Sequence, residues 1–298
     1  MLEIRTNAKV NLSLRVLGRR GDGFHAIESV FQTIDLADTI EVSDRPGAEV
    51  TVAMGGPAWS GSAAPPPGGN LVEVAARALV AAGAEPTGTH FRIDKRIPVG
   101  AGLGGGSANA AGALVVLNER WGLGAANDTL RTIAATVGSD VPYCLEGGTA
   151  LVTGRGENVA PLPAPSTFWL VLGLSGFSLL TGEVYDMWDQ VGEESDSKSA
   201  SVTYALGAGD PAELAPLLHN DLELAALALH PELSIQKQAL LDAGSLGACL
   251  SGSGPTLFGL AESEDHAHSI AAQVKDRFDR VEVVSTRPSC IEREGDGS

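Results

Sequence analysis

Cysteine, aromatic residues and positive charge are all scarce in this sequence, and no long apolar run interrupts it. Three cysteines in 298 residues, Cys144, Cys249 and Cys290, are too few and too scattered for a disulfide framework or a zinc site. They read as buried thiols in a reducing cytoplasm. Lys and Arg number 20 against 37 Asp and Glu, a formal charge of −17. That balance excludes nucleic acid and anionic membrane as partners, because either demands a basic face. No stretch reaches membrane-spanning length, and the charged, alternating N-terminus holds no signal-peptide core. These absences leave a cytoplasmic protein, monomer or homodimer, that handles small molecules.

Glycine, by contrast, is plentiful, with 37 residues, and it is concentrated in Pro98-Val99-Gly100-Ala101-Gly102-Leu103-Gly104-Gly105-Gly106-Ser107-Ala108. Five glycines in eleven residues are costly in chain entropy, so the backbone here must approach something that side chains would obstruct. With Ser107 capping a helix from Ala108, unpaired N–H groups and the positive helix end face the loop, which makes a phosphate seat. Gly100-x-Gly102-x-x-Gly105 matches the dinucleotide fingerprint only formally, since Glu119 falls at a helix tail and not at the end of a second strand. No Gly-Lys-Ser/Thr follows, so it is not a Walker A loop either. A glycine-rich hairpin or a tight helix entry with no ligand is the plainer alternative.

The chain length points to two domains, 1–160 and 161–298, each of α+β class, because strands and helices are interspersed without regular βα alternation. Residues 1–182 carry 13 Lys and Arg against 16 Asp and Glu, residues 183–298 only 7 against 21. Within the first 25 residues the sign reverses, and Arg5, Lys9, Arg15, Arg19 and Arg20 predict a cationic patch for a small anion. Alternation over Ala8–Val16 predicts a half-buried strand with Lys9 and Asn11 projecting from its polar face. A turn at 19–23 and strands at 29–34, 41–43 and 49–53 follow, then a mobile loop over Gly55–Gly69. Helices are predicted at Asn70–Ala82, capped by Asn70 and stopped by Gly83, and at Asp128–Val137. Pro161, Pro163 and Pro165 mark a linker. In the second half, a strand at Phe168–Leu174 and a helix at Thr181–Val191 precede an acidic, serine-rich segment, Gly192–Ser201, expected to be disordered. Further helices are predicted at 211–218, 221–229, 231–243 and 264–278, strands at 246–250, 256–260 and 281–285, and a frayed tail at 292–298.

A lysine on an early strand, a glycine phosphate loop and the aspartate of Gly138-Ser139-Asp140-Val141-Pro142 together suit phosphoryl transfer, where catalysis is mostly positioning and charge neutralisation. Asp140 could take the proton of an attacking hydroxyl, with Lys9 keeping it ionised and offsetting phosphoryl charge. Asp140 ahead of Val141-Pro142 also fits a helix N-cap, and Lys9 an ordinary surface lysine.

Three segments, Asn7–Leu12, Pro98–Ala108 and Leu250-Ser251-Gly252-Ser253-Gly254-Pro255-Thr256, resemble in order the three motifs of the GHMP kinase superfamily. The match is closest to its branch acting on cytidine-diphosphate-linked methylerythritol, through Lys9–Leu12, Arg20–His25, Gly104–Gly106, Gly138–Pro142 and Asn220–Glu223. The resemblance implies a two-domain fold with the active site in the cleft between domains, and ATP with Mg²⁺ as cofactors. It implies catalytic Lys9 and Asp140, an ATP-phosphate segment Pro98–Ala108 with Ser107 near Mg²⁺, and no dedicated metal-ligand set. It also implies substrate contacts from Asn11, Phe24, His25 and Tyr185, with Phe24 and Tyr185 bracketing the cytosine. Phe24 stands where the family usually has tyrosine; a phenyl ring stacks equally well and lacks only the phenolic hydrogen bond. The cationic patch and the Phe24-His25 pair set this branch apart from kinases of neutral sugars, homoserine or mevalonate.

Overall fold

The structure is a computed structural model describing residues 2–59, 66, 68–163, 167–193, 195–196 and 199–293. In chain order it runs β1 (Leu2–Arg19), β2 (His25–Asp44), β3 (Val50–Gly55), α1 (Leu71–Ala81), β4 (Thr89–Asp94), α2 (Gly105–Arg120), α3 (Asn127–Val137), α4 (Val141–Glu146), β5 (Thr149–Gly154), β6 (Asn158–Pro161) and β7 (Trp169–Leu174). The remainder is α5 (Thr181–Val191), α6 (Ser199–Ala208), α7 (Pro211–Leu214), β8 (His219–Asn220), α8 (Glu223–Leu229), α9 (Glu232–Asp242), β9 (Gly247–Leu250), β10 (Leu257–Ala261), α10 (Glu264–Val274), β11 (Arg280–Ser285) and β12 (Ile291–Arg293). Among the described residues no helix is long and apolar enough to cross a membrane.

Two sheets result. The first runs β12-β1-β2-β4-β3, with β5 and β6 continuing from the other end of β2 and β8 beside β1; the second is antiparallel in the order β11-β7-β10-β9. β2 is long enough to serve two neighbours, pairing β5 over Ile27–Gln32 and β4 over Thr39–Asp44. Helices α1 to α4 bury Val72, Leu79, Leu114 and Leu117 against Ile40 and Phe91 of the first sheet. Helices α5 and α8 to α10 pack on the second sheet through Val184, Leu233 and Ile270. A third apolar cluster, with Val10, Leu12, Leu172 and Phe258, joins the two sheets.

The pairing of β1 with β2 shifts register between Asn7 and Lys9. Such a bulge turns the strand over: Ile4 faces the helices, whereas Ala8, Val10 and Leu12 face the second sheet. Lys9 and Asn11 therefore emerge on the helical side. The expected half-buried strand is buried on both faces, Lys9 being 4% exposed and Asn11 1%, because loops from both halves of the chain cover the polar side.

Local signals carried several elements. The Asn70 side chain accepts from Val72 N at 2.9 Å and caps α1, and α5 spans the predicted residues. Four departures have physical causes. The segments at 29–34 and 41–43 are one strand, since the polar residues between them are satisfied inside the sheet, Asp38 being fully buried. β5, β6 and β12 lack their own alternation and are stabilised by pairing with β2, β5 and β1. Ser199–Ala208 is helical, since Val202, Ala205 and Leu206 reach the cluster between the sheets, which overturns disorder at the end of Gly192–Ser201. Glu292 and Arg293 belong to β12 and do not fray. Expectations for 60–65, Pro165 and 294–298 lie outside the described residues.

Helix α2 sets the direction of the glycine loop. It approaches β1 so closely at Gly112 that a Cβ there would stand 2.8 Å from Thr6 Cγ2 and 2.9 Å from Ile4 Cδ1. Gly112→Val is expected to destabilise the protein by about 1–3 kcal/mol through overpacking, read as a lower urea midpoint at unchanged m-value.

Candidate active site

Lys9 points from β1 into a polar enclosure. Its Nζ donates to Asn11 Oδ1 at 2.7 Å, sits 4.7 Å from the Phe31 ring centroid and lies 3.8 Å from Asp140 Oδ2. Asn11 is held in turn, its Nδ2 donating to Ser29 Oγ at 3.0 Å. Burial pulls the Lys9 pKa below its ordinary value, and the Asp140 charge opposes that fall. Asp140 occupies the N-cap position of α4, yet its side chain makes no capping hydrogen bond. Its carboxylate, 30% exposed, faces Lys9 instead. Neither plainer account, a capping aspartate or a surface lysine, describes how these side chains are used.

The glycine loop has carbonyls engaged by the rest of the protein and amides that are not. Leu103 O accepts from Lys9 N at 3.0 Å, and Gly102 O from Ser251 Oγ at 3.0 Å. From Val99 to Ser107, no backbone N–H donates to another protein group among the described residues. Gly100, Gly102 and Gly104 are left-handed, with φ of +68°, +75° and +70°, and a left-handed residue at every second position turns successive N–H groups to one side, making an anion nest. Gly104 also starts α2 at Gly105, three residues earlier than expected. Ser107 is thus in the first turn of α2 and does not cap it, and Ala108 is fully buried behind the loop.

A second glycine turn, Ser251–Pro255, completes the enclosure. A Cβ on Gly252 would lie 3.3 Å from Lys9 Nζ and 3.4 Å from Asn11 Oδ1. Asn220 Nδ2 ties this turn down through Leu250 O and Gly252 O, both at 2.8 Å, and Glu223 Oε2 accepts from Leu250 N at 3.1 Å. The resulting cleft has a volume of about 830 Å³ and is lined by Lys9, Asn11, Pro98 to Ser107, Asp140, Phe24, His25 and Tyr185. At the β1–β2 turn, Phe24 is 49% exposed, and His25 stacks on Tyr185 with ring centroids 4.8 Å apart. Burial, reinforced by the Asp140 charge, raises the Tyr185 phenol, which keeps this ring neutral.

Comparison with known proteins bears on this arrangement. The family model described as the GHMP kinases N terminal domain matches residues 70–148, and that of the GHMP kinases C terminal matches residues 202–280. A 4-diphosphocytidyl-2-C-methyl-D-erythritol kinase of Pelotomaculum thermopropionicum is 42% identical over 94% of this chain and 96% of its own length. The chain belongs to the GHMP kinases. A Nocardioides protein with the same activity in its name is 45% identical over 91% of this chain and 92% of its own. The crystal structure of a 4-(cytidine 5'-diphospho)-2C-methyl-D-erythritol kinase superposes with a TM-score of 0.77 at 33% identity, covering 95% of this chain and 98% of that one. A homoserine kinase from Cytophaga hutchinsonii shares the fold, with a TM-score of 0.73 at 21% identity over 98% and 97% of the two chains.

Besides the Ser107 cap, the expected cationic patch fails in this GHMP kinase. The early basic residues do not form a patch: Arg15 pairs with Glu28 at 3.6 Å, Arg19 with Asp189 at 3.5 Å and Arg20 with Asp22 at 3.0 Å. Only Lys9 and Arg19 of that group line the cleft, because register shifts between Asn7 and Lys9, Asn11 and Ser13, and Val16 and Arg19 break the alternation that would put the odd-numbered residues on one face. Two lining cations were missed, Arg155, whose guanidinium lies 5.1 Å from the Phe24 ring centroid, and Lys95. Lys95 pairs with the fully buried Asp38, whose Oδ1 accepts from Arg96 N at 2.8 Å and Ile97 N at 2.9 Å. Asn109 Nδ2 on α2 donates to the same carboxylate at 2.9 Å, so Asp38 anchors the glycine loop at both ends. The signal was Asp38 itself, set close to Asp35 in an otherwise largely apolar stretch of β2. The cysteines are inert: all three are buried, and a hydrogen bond with Cys290, together with burial, pushes Cys144 up.

Gly102 is where the two glycine turns touch. A Cβ there would fall 2.1 Å from Ser251 O, at a left-handed φ. Gly102→Ala is expected to lower kcat/KM for ATP by about 100-fold, the effect of displacing a catalytic framework by roughly 1 Å. Gly122→Ala, equally left-handed but in open space, should cost only stability, about 1 kcal/mol, as read by steady-state kinetics beside thermal melts.

Proposed function

We propose that this kinase transfers the γ-phosphate of ATP to the 2-hydroxyl of 4-diphosphocytidyl-2-C-methyl-D-erythritol, a step of the non-mevalonate route to isoprenoid precursors. The observation that carries the reading is the Lys9–Asp140 pair at 3.8 Å in the cleft whose glycine loop presents unpaired amides. Those amides and the α2 N-terminus receive the triphosphate. Asp140 takes the proton of the accepting hydroxyl as its oxygen bonds to the γ-phosphorus and the bond to the β-bridging oxygen breaks, releasing ADP. Lys9, oriented by Asn11, offsets negative charge on the transferring group. Phe24, His25 and Tyr185 receive the cytosine end.

No group of three or more His, Cys, Asp or Glu side chains suited to a metal is present among the described residues. The donor set fits Mg²⁺ delivered with ATP, which is held chiefly by phosphate oxygens and water. Ser107 Oγ, one of several hard oxygen donors lining the cleft, would help hold it beside the phosphates, where such an ion would supply further neutralisation of charge.

ATP consumption measured across alcohol acceptors tests the assignment. Turnover is expected with the cytidine-diphosphate-linked polyol and not with homoserine, mevalonate or galactose; turnover with one of these instead overturns it. Asp140→Asn should lower kcat by about 10²–10⁴-fold and leave ATP affinity nearly unchanged, whereas near-wild-type turnover removes Asp140 as the base. Phe24→Ala should weaken the cytidine substrate by about 1–3 kcal/mol and spare ATP; equal losses for both ligands contradict its placement. The reaction uses Lys9 as ammonium, and burial displaces its pKa downward. kcat/KM should therefore fall as pH rises through a value below 10.5, and an alkaline limb at or above that value contradicts the role.

A further inference from the structure

His25 is fixed on three sides. It stacks on Tyr185 with 20° between the ring planes, meets Trp188 edge-on at 5.7 Å, and places Nε2 2.7 Å from Asp189 Oδ1. The other carboxylate oxygen of Asp189 lies 3.5 Å from Arg19 Nη1, so the carboxylate stays turned toward the imidazole. An ionised carboxylate only accepts hydrogen bonds, so Nε2 must carry its proton. Nδ1 has no hydrogen-bond partner among the described residues, and His25 lines the cleft. In the neutral ring Nδ1 then presents a lone pair and nothing else.

We propose that Asp189 is a positioning residue that sets base specificity: by accepting Nε2–H it fixes the His25 tautomer with Nδ1 as a bare acceptor, matched to the exocyclic amine of cytosine. The inference rests on the reading that a cytidine-linked substrate occupies this cleft. A pyrimidine stacked on Tyr185 beside His25 lies close to the imidazole plane, where the Nδ1 lone pair meets the edge of the base. The 4-amino group of cytosine donates to that lone pair. Uracil offers a carbonyl at the same position, and two acceptors then face each other without a proton.

The test compares CDP and UDP binding by calorimetry in the full-length wild type, Asp189→Ala and Asp189→Asn, with ATP binding as the fold control. The wild type should favour CDP by about tenfold or more, the scale of one base-edge hydrogen bond. Asp189→Ala should bring the ratio toward unity with ATP binding unchanged, because the imidazole then exchanges tautomers. Asp189→Asn should restore most of the ratio, since its amide oxygen still accepts Nε2–H. In ¹⁵N spectra of the wild type, His25 Nδ1 should appear unprotonated. A protonated Nδ1, or a wild-type ratio in Asp189→Ala, overturns the assignment of Asp189 alone. Equal CDP and UDP binding by the wild type overturns the cytidine reading, and this inference with it.

Discussion

A buried ammonium must be compensated on every side, and Lys9 imposes that condition where the two halves of the chain meet. The carbonyl oxygen of Asn11, the face of Phe31 and the carboxylate of Asp140 supply the compensation. Each comes from a different place: the same strand two residues on, its antiparallel neighbour, and the turn into α4. Glycine turns then close over the lysine from both halves. A Cβ on Gly104 would stand 3.0 Å from Lys9 Cγ, and one on Gly252 3.3 Å from Nζ. The enclosure that strips water from the cation also strengthens its field on a phosphoryl group, since the same charge acts through a lower effective dielectric.

The proposed phosphate seat follows a different logic. Its amides donate to no protein group among the described residues, while the carbonyls of Leu103 and Gly102 are engaged by Lys9 N and by the Ser251 hydroxyl. Asp38 then fixes both the entry to the loop, through the amides of Arg96 and Ile97, and its exit, through Asn109 on α2. A loop so held meets an anion with little reorganisation, which is the physical content of preorganisation in phosphoryl transfer.

What could be read from the residues in order is what local chemistry dictates. Asn70 before an amphipathic run gave α1, and the glycine string gave a left-handed loop with unpaired amides at the start of α2. The motifs that resemble the GHMP kinases named Lys9, Asp140, Asn11, Phe24, His25 and Tyr185, and the fold gathers all six around one cleft. Less legible was anything decided by a distant partner. Asp189 and Trp188 meet His25 from 163 or more positions away in the chain, and Asp38 reads as a solvated charge until Lys95 and Asn109 surround it. The basic N-terminal stretch misled for a related reason: proximity in sequence is not proximity in space on a strand, and Arg15, Arg19 and Arg20 each find a separate acid.

β1 and β2 contribute both to the cluster under α1 to α4 and to the one between the sheets, and β8 and β12, drawn from beyond residue 160, complete the sheet begun at the N-terminus. A chain severed in the middle would leave each fragment with unpaired strand edges and a core missing one wall. The halves of this kinase are thus woven and not merely tethered, so opening the cleft by swinging one half from the other would require tearing a ribbon apart. Access for two substrates falls instead to the turns around its rim.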